Sequence, residues 1–405
     1  MNAQRSMEEF RRKAIIGAYL GWVMDGYDAL LVTPILPLLG ELFFPGPYAL
    51  LGGLSTLTAT LIGRPLGSVL MGYVGDKFGR RVGLLMTVLG YSLSALIIAV
   101  LPTYAVIGVL APFALLTLRF VQGIFLGGEW GPGTAMIMEW SKWRREITSA
   151  FIQAGYPMGV LLATIVNILF LKYMGPGPFN AYGWRIYMGT GAIVSAIAFI
   201  LRNRLVESPL WSRPRSNPLS LLFRYNGLKL GLGMVFTGGV LTIFYSTQLI
   251  YAEFLKVIGE ARLIPSVLFF ATIAAIIGVL LAGPLMLVIN YRWVGIGSLL
   301  IALAYAPIAL LISPTPINLV TLVFLENFVA GLIPYVLIDK FDVHYRASGL
   351  GIAYNWGLLV IGGWAPLIVG LIKPMGLGML TMMAVGVALA ITGLVLLSRM
   401  RAARD

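Results

Sequence analysis

The 405-residue sequence predicts an all-α membrane protein of twelve transmembrane helices in two six-helix bundles, with both termini cytoplasmic. Three observations carry this. Hydrophobic residues make up 59% of the chain and charged residues only 11%, far outside the range of a soluble domain. Apolar runs long enough to span a bilayer, about 20 residues each, recur twelve times. One stretch of the first half is also echoed in the second.

The elements follow in order, each bounded by a polar or Gly/Pro-containing connection. The first run, 14–39, follows a stretch charged like a signal peptide, but about 25 apolar residues exceed a signal's apolar region, so it reads as a retained span. Runs 48–74 and 81–101 flank GYVGDKFGRR, and runs 105–137 and 147–172 flank EWSKWRRE. Run 184–201 leads into the longest polar connection, which holds Arg204, Arg213 and Arg215 and is flanked by Arg202 and Arg224. Beyond it lie 227–255, 263–289, 293–313, 317–338, 347–372 and 376–398. The connection divides the spans six and six. The expected domains are a bundle at 1–202, a cytoplasmic linker at 203–225 and a bundle at 226–405.

A net charge of +13 would suit a nucleic-acid partner, but the placement of the charge argues otherwise. With the N-terminus inside, 22 of the 29 Lys and Arg residues fall on the cytoplasmic side, five fall outside and two lie within spans. This is the positive-inside bias of a multi-pass cell-membrane protein. The chain has no Cys and one His, His344 in an inner loop, which leaves neither thiolate chemistry nor a metal site of the usual kind. No cofactor is expected. A nucleophile with a His base cannot be assembled, and phosphate cradles are absent, so an enzyme is excluded. A sensor would need an output domain, and the expected tails are only about 13 and about 7 residues.

The echo lies about 200 residues apart. MEWSKWRREITSAFIQAGYPMG after span 4 matches LIDKFDVHYRASGLGIAYNWG after span 10, pairing Glu139 with Asp339 and bringing Arg145 close to Arg346. Two repeated six-helix halves match carriers that bind substrate near the bilayer midplane and alternate access to it.

GYVGDKFGRR, Gly72 to Arg81, also reads as a tight inner loop, yet that alone does not require its Gly and Asp residues. Glycine permits a sharp turn, and an acid such as Asp76 suits a helix N-terminus. The loop resembles the signature of the major facilitator superfamily, where it latches the cytoplasmic side; the resemblance implies gating roles for Asp76, Arg80 and Arg81, and extends to Glu139, Arg145, Asp339 and Arg346. In the second half the corresponding loop has shrunk to INYRW. RPLG at Arg64, RFVQGIFLGGEWG at Arg119, QAGYPMG at Gln153, GWR at Gly183 and VESPLW at Val206 are similar to the organic-acid symporters of that superfamily, in the sialate and lactate/pyruvate branch and among metabolite proton symporters. DGYD, Asp25 to Asp28, resembles the aromatic-acid proton symporters.

A charge at the bilayer centre costs at least about 2.5 to 3.5 kcal/mol, so these residues need a partner or a cavity. Counted from inner helix ends, Asp25 and Arg64 lie about 18 Å deep and Glu129 about 15 Å, with Asp28 and Arg119 further out at about 22 and 30 Å. Asp25 and Asp28 share a helix face, as do Gln122 and Glu129, and Arg119 is better placed to meet Asp28 than Glu129. One ion pair per Arg would hold the bundle together, but three carboxylates face two Arg residues. An acid left over favours its neutral form and exchanges protons near working pH. Asp25, Asp28 and Glu129 are therefore the proton-coupling candidates, Asp25 foremost, and Arg64 and Arg119 the anchors for a substrate carboxylate. Gln122, Gln153, Tyr245, Gln248, Asn355 and Trp356 are candidate polar contacts. Most buried aromatic residues only pack. Glu326, at mid-span, is either a further acid or half of an ion pair within its bundle.

The expected function is proton-coupled uptake of a small organic acid, such as a monocarboxylate, by a monomeric carrier working by alternating access. A sugar or other metabolite carrier is the alternative, since VESPLW is shared with sugar porters. A proton-driven exporter is a further alternative, but GYPMGVLLAT lacks the fuller Gly-Pro pattern of drug antiporters.

Overall fold

The structure, a computed structural model, describes residues 2–141, 144–203 and 205–402. Arg204 and the Lys and Trp of the SKWRR loop lie outside them. The chain is all-α. The helices of six residues or more are α1 (Asn2–Leu31), α2 (Leu36–Phe43), α3 (Ala49–Lys77), α4 (Arg80–Val100), α5 (Leu110–Gly127), α6 (Trp130–Trp140), α7 (Arg145–Met174) and α8 (Trp184–Asn203). They continue with α9 (Pro218–Ser246), α10 (Tyr251–Val257), α11 (Ile264–Val288), α12 (Tyr291–Pro307), α13 (Pro316–Glu326), α14 (Ile333–Ile338), α15 (Arg346–Val360), α16 (Ala365–Leu371) and α17 (Met375–Arg399). Among the described residues eleven helical stretches are long and apolar enough to cross a membrane. The 29 residues of α3 add a twelfth, about 43 Å long.

Five of the twelve apolar runs are not continuous helices. Run 14–39 breaks between Leu31 and Leu36, where Pro34 removes a backbone donor. Run 105–137 breaks at Gly128 and Glu129, run 227–255 at Thr247, run 317–338 after Glu326, and run 347–372 near Gly362. Four of these breaks fall on spans 1, 4, 7 and 10, one in every three. Because the chain turns at Glu129, the heptad spacing that would align it with Gln122 does not hold.

Contacts group the chain into two compact units, Met1–Trp140 with Met158–Arg215, and Ser141–Pro157 with Ser216–Asp405. In the first, α3 crosses α5 at backbone contact: a Cβ added to Gly67 would lie 1.7 Å from the Ile124 carbonyl oxygen, and one on Gly127 2.1 Å from that of Arg64. No larger residue fits there. Tyr27, Leu31, Phe43, Trp184 and Tyr187 belong to one buried hydrophobic cluster. In the second unit, α9 packs along α17 and α15, and α13 along α11.

Candidate functional site

In the first unit two buried ion pairs hold the candidate acids Asp25 and Glu129. Arg64, on α3, donates from Nη1 to Asp25 Oδ1 at 2.8 Å and from Nη2 to Oδ2 at 2.6 Å, a bidentate pair with both residues buried. The fork geometry of guanidinium against carboxylate is fully used. Glu129, at the turn before α6, pairs instead with Arg202 at the end of α8, through both Nη atoms. Thr87 Oγ1 also donates to Glu129 at 2.6 Å, and Arg202 donates to the carbonyl oxygens of Gly17 and Leu84. The absence of a side chain at Gly21 admits this pair, since a Cβ there would fall 1.5 Å from Arg202 Nη2.

Arg202 is the partner of a candidate acid that sequence reasoning missed. It stands beside a run of basic linker residues and reads as one more inner charge, yet it is fully buried. The signal available was that Glu129 needed a cation and that Arg202 ends the sixth apolar run.

Asp28 has no such partner. It is 2% exposed, and neither carboxylate oxygen has a hydrogen-bond partner among the described residues. Its Oδ1 lies against Gly191, where a Cβ would come within 2.6 Å. Arg119 is the cation whose charge bears on it, with Asp25 the nearby anion. Arg119 forms no ion pair among the described residues; its Nη1 donates to Gln122 Oε1 at 2.6 Å. Tyr91, also buried, holds a hydroxyl that has no hydrogen-bond partner among the described residues, amid the charges of Arg202, Glu129, Asp28 and Asp25.

The loop at Gly72 to Arg81 is a second charged cluster of this unit. Arg80 donates to Asp76 Oδ1 at 2.5 Å and to Glu139 Oε1 at 3.4 Å. The N-terminus of α4 is capped by Glu207, which accepts from the backbone N–H groups of Arg80 and Arg81 at 3.0 and 3.1 Å. Arg81 Nη2 donates to the Asn203 carbonyl oxygen, and Trp211 Nε1 to that of Asp76 at 2.9 Å. VESPLW is thus docked on the loop through Glu207, Ser208 and Trp211, with Ser208 Oγ donating to Glu139.

The other candidates lie in the second unit. Arg145 donates to both oxygens of Asp339, and Arg346 Nε to the Phe341 carbonyl oxygen at 3.2 Å. Ser149 joins the Gly331 carbonyl oxygen to the Tyr335 N–H. Gln153 and Tyr245 are buried and Trp356 half-buried; Tyr245 stacks edge-on against Phe244, which meets Tyr156 in the same way. Asn355 Nδ2 donates to the Gly351 carbonyl oxygen. Gln248 Oε1 has no hydrogen-bond partner among the described residues. Glu326 accepts from Thr247 Oγ1 at 2.9 and 3.0 Å and forms no ion pair among the described residues.

A twelve-span helical protein of two six-helix bundles, with buried charges in its interior, defines a membrane transporter and not a catalytic enzyme. The chain matches the profile of the Major Facilitator Superfamily over residues 18–362 and belongs to that family. It is 30% identical over 380 residues to the glycine betaine/proline/ectoine/pipecolic acid transporter OusA of Dickeya dadantii, covering 87% of this chain and 75% of that one. It is 35% identical over 203 residues to the shikimate transporter of Escherichia coli, covering 49% and 46%. The fold matches the proton:xylose symporter XylE with a TM-score of 0.75 at 19% identity, over 95% of each chain. The curated relatives are named for betaine/proline, shikimate and metabolite transport; the sequence led to an expectation of metabolite symporters together with a sialate and lactate/pyruvate branch, and these names do not carry the latter.

Proposed function

We propose that this carrier is a proton-coupled symporter that takes up a small polar metabolite bearing a carboxylate, with Asp28 as the proton site and Arg119 as the substrate anchor. One observation carries the reading: a buried carboxylate lies under the influence of a buried guanidinium, and among the described residues the first has no hydrogen-bond partner and the second no ion pair. Protonating Asp28 removes the one anion that Arg119 would otherwise balance and leaves its charge for the substrate carboxylate. The same logic gives Asp25 and Glu129, each already held by an Arg, supporting roles. Glycine betaine, proline, ectoine, pipecolic acid and shikimate each carry a carboxyl group, which supports an anchor of this kind and widens the class beyond monocarboxylates.

A sugar carrier is the second reading, supported by the fold shared with the xylose symporter and by the VESPLW segment. Stabilisation of the purified protein separates the two, because a ligand at 100 times its Kd adds about 2.7 kcal/mol. Betaine, proline, shikimate, lactate and xylose are compared at two pH values. Carboxylate-bearing solutes raise Tm under this proposal, more strongly at the lower pH. Stabilisation by xylose alone would refute it. In liposomes, Asp28→Asn abolishes uptake driven by a pH gradient but retains substrate exchange.

A further inference from the structure

We propose that Glu326 is a second proton-binding site, built in the second unit where two interrupted helices end. This deepens the proton-coupled reading above and rests on it. Glu326 is the last residue of α13, and Thr247, its hydroxyl partner, follows the last residue of α9. Each helix C-terminus carries about half a negative charge. Two of them therefore meet at a carboxylate that is 4% exposed and has no cation among the described residues.

Among the described residues the surroundings supply no counter-charge. Tyr251 is the titratable group whose charge bears on Glu326, and its hydroxyl donates to the Leu319 carbonyl oxygen. On α11, packed along α13, no residue is titratable. On α12, Tyr305 donates to Asn318 and Arg292 to the Ser398 carbonyl oxygen. Tyr245 at the end of α9 stacks on Phe244.

Hydrogen-bond counting selects a proton as the occupant. Thr247 Oγ1 lies 2.9 and 3.0 Å from the Glu326 oxygens and 2.7 Å from the Ile243 carbonyl oxygen. A hydroxyl has one proton to donate. With Glu326 ionised, three acceptors compete for it. A proton on Glu326 completes a chain in which the carboxyl donates to Thr247 Oγ1 and Thr247 donates to Ile243. Losing that proton leaves a bare charge between two helix C-termini, so release is tied to opening of the breaks.

The internal repeat sharpens the case. Glu326 follows Glu129 by 197 residues, close to the offset of the echoed loops, and both stand where a span is interrupted. Both accept from a threonine, Thr87 in one case and Thr247 in the other. Only Glu129 also has an arginine, Arg202.

Infrared difference spectra of the purified full chain in lipid, recorded between neutral and alkaline pH, test the assignment. A protonated-carboxyl band present in the wild type is expected to vanish in Glu326→Gln and to shift in Thr247→Val, which removes its acceptor. Should Glu326→Gln fail to fold, Thr247→Val carries the test. A band unmoved by the variants that fold overturns the proposal. So does a band that sodium, compared with potassium, removes at fixed pH, because the site would then hold sodium. Asp28→Asn keeps the Glu326 band, so a wild type that lacks uptake driven by a pH gradient would end the symport reading while leaving this site in place.

Discussion

Arg202 shows how strongly the value of a charge depends on its surroundings. Fully buried, it is held by Glu129 and by two carbonyl oxygens. Removing one partner of a buried pair strands the other and costs about 3–5 kcal/mol. Arg202→Met should therefore destabilise the protein by that amount in chemical unfolding, and adding Glu129→Gln should restore most of the loss. Arg145 and Asp339 also make an ion pair, but with side chains 54% and 39% exposed. Exposed pairs are worth at most about 1 kcal/mol, so Arg145→Ala should shift stability by no more than that. An equal loss in both experiments would refute the distinction. Residue type alone hides it, because an Arg beside a basic linker and an Arg inside a bundle are the same letter. Asp25 and Arg64 were legible because each interrupts an apolar run, where a charge has to be explained.

At the scale of elements, the helices were legible and their interruptions were not. Apolar composition over a window reports whether a segment suits the bilayer, and a turn at Gly128 and Glu129 leaves that composition unchanged. Prolines gave an uneven guide: Pro34 falls in the break of the first span, but Pro65 and Pro157 lie inside continuous helices and no proline marks the break at Thr247. The start of α4 depends on two local devices. Gly79, at φ 116° and ψ 147°, takes an extended positive-φ conformation that costs other residues about 1–3 kcal/mol, and a Cβ there would lie 2.3 Å from Glu207 Oε2. Glu207 then caps Arg80 and Arg81. Glu207→Ala should lower stability by about 1 kcal/mol, the value of an N-terminal cap. Thermal unfolding should show a larger loss for Gly79→Ala, which adds strain to a displaced cap. Identical losses would mean that the turn carries no strain. Gly67→Leu at the α3–α5 crossing should prevent folding altogether, read as loss of the monodisperse protein peak, while Gly189→Ala on α8, with open space around it, should not.

For the whole molecule, hydropathy and the loop charges determine topology, whereas the pairing of charges depends on helix rotations that one sequence does not specify. That is why the span count was legible while the partner of Glu129 was not. Orientation follows from the 22 cationic residues expected on the inner side against five on the outer. The chain contains no cysteine, so a single introduced thiol reports one position without background. Arg262, in the connection between α10 and α11, has a side chain 82% exposed, and Arg215, between α8 and α9, is exposed as well. Neither change reverses the charge asymmetry: Arg262→Cys removes an outer charge, and Arg215→Cys leaves the inner excess large. In intact cells a membrane-impermeant maleimide should label Arg262→Cys, and it should label Arg215→Cys only after permeabilisation. The opposite pattern would place the termini outside and invert the direction in which Asp28 and Glu326 meet the two sides of the membrane.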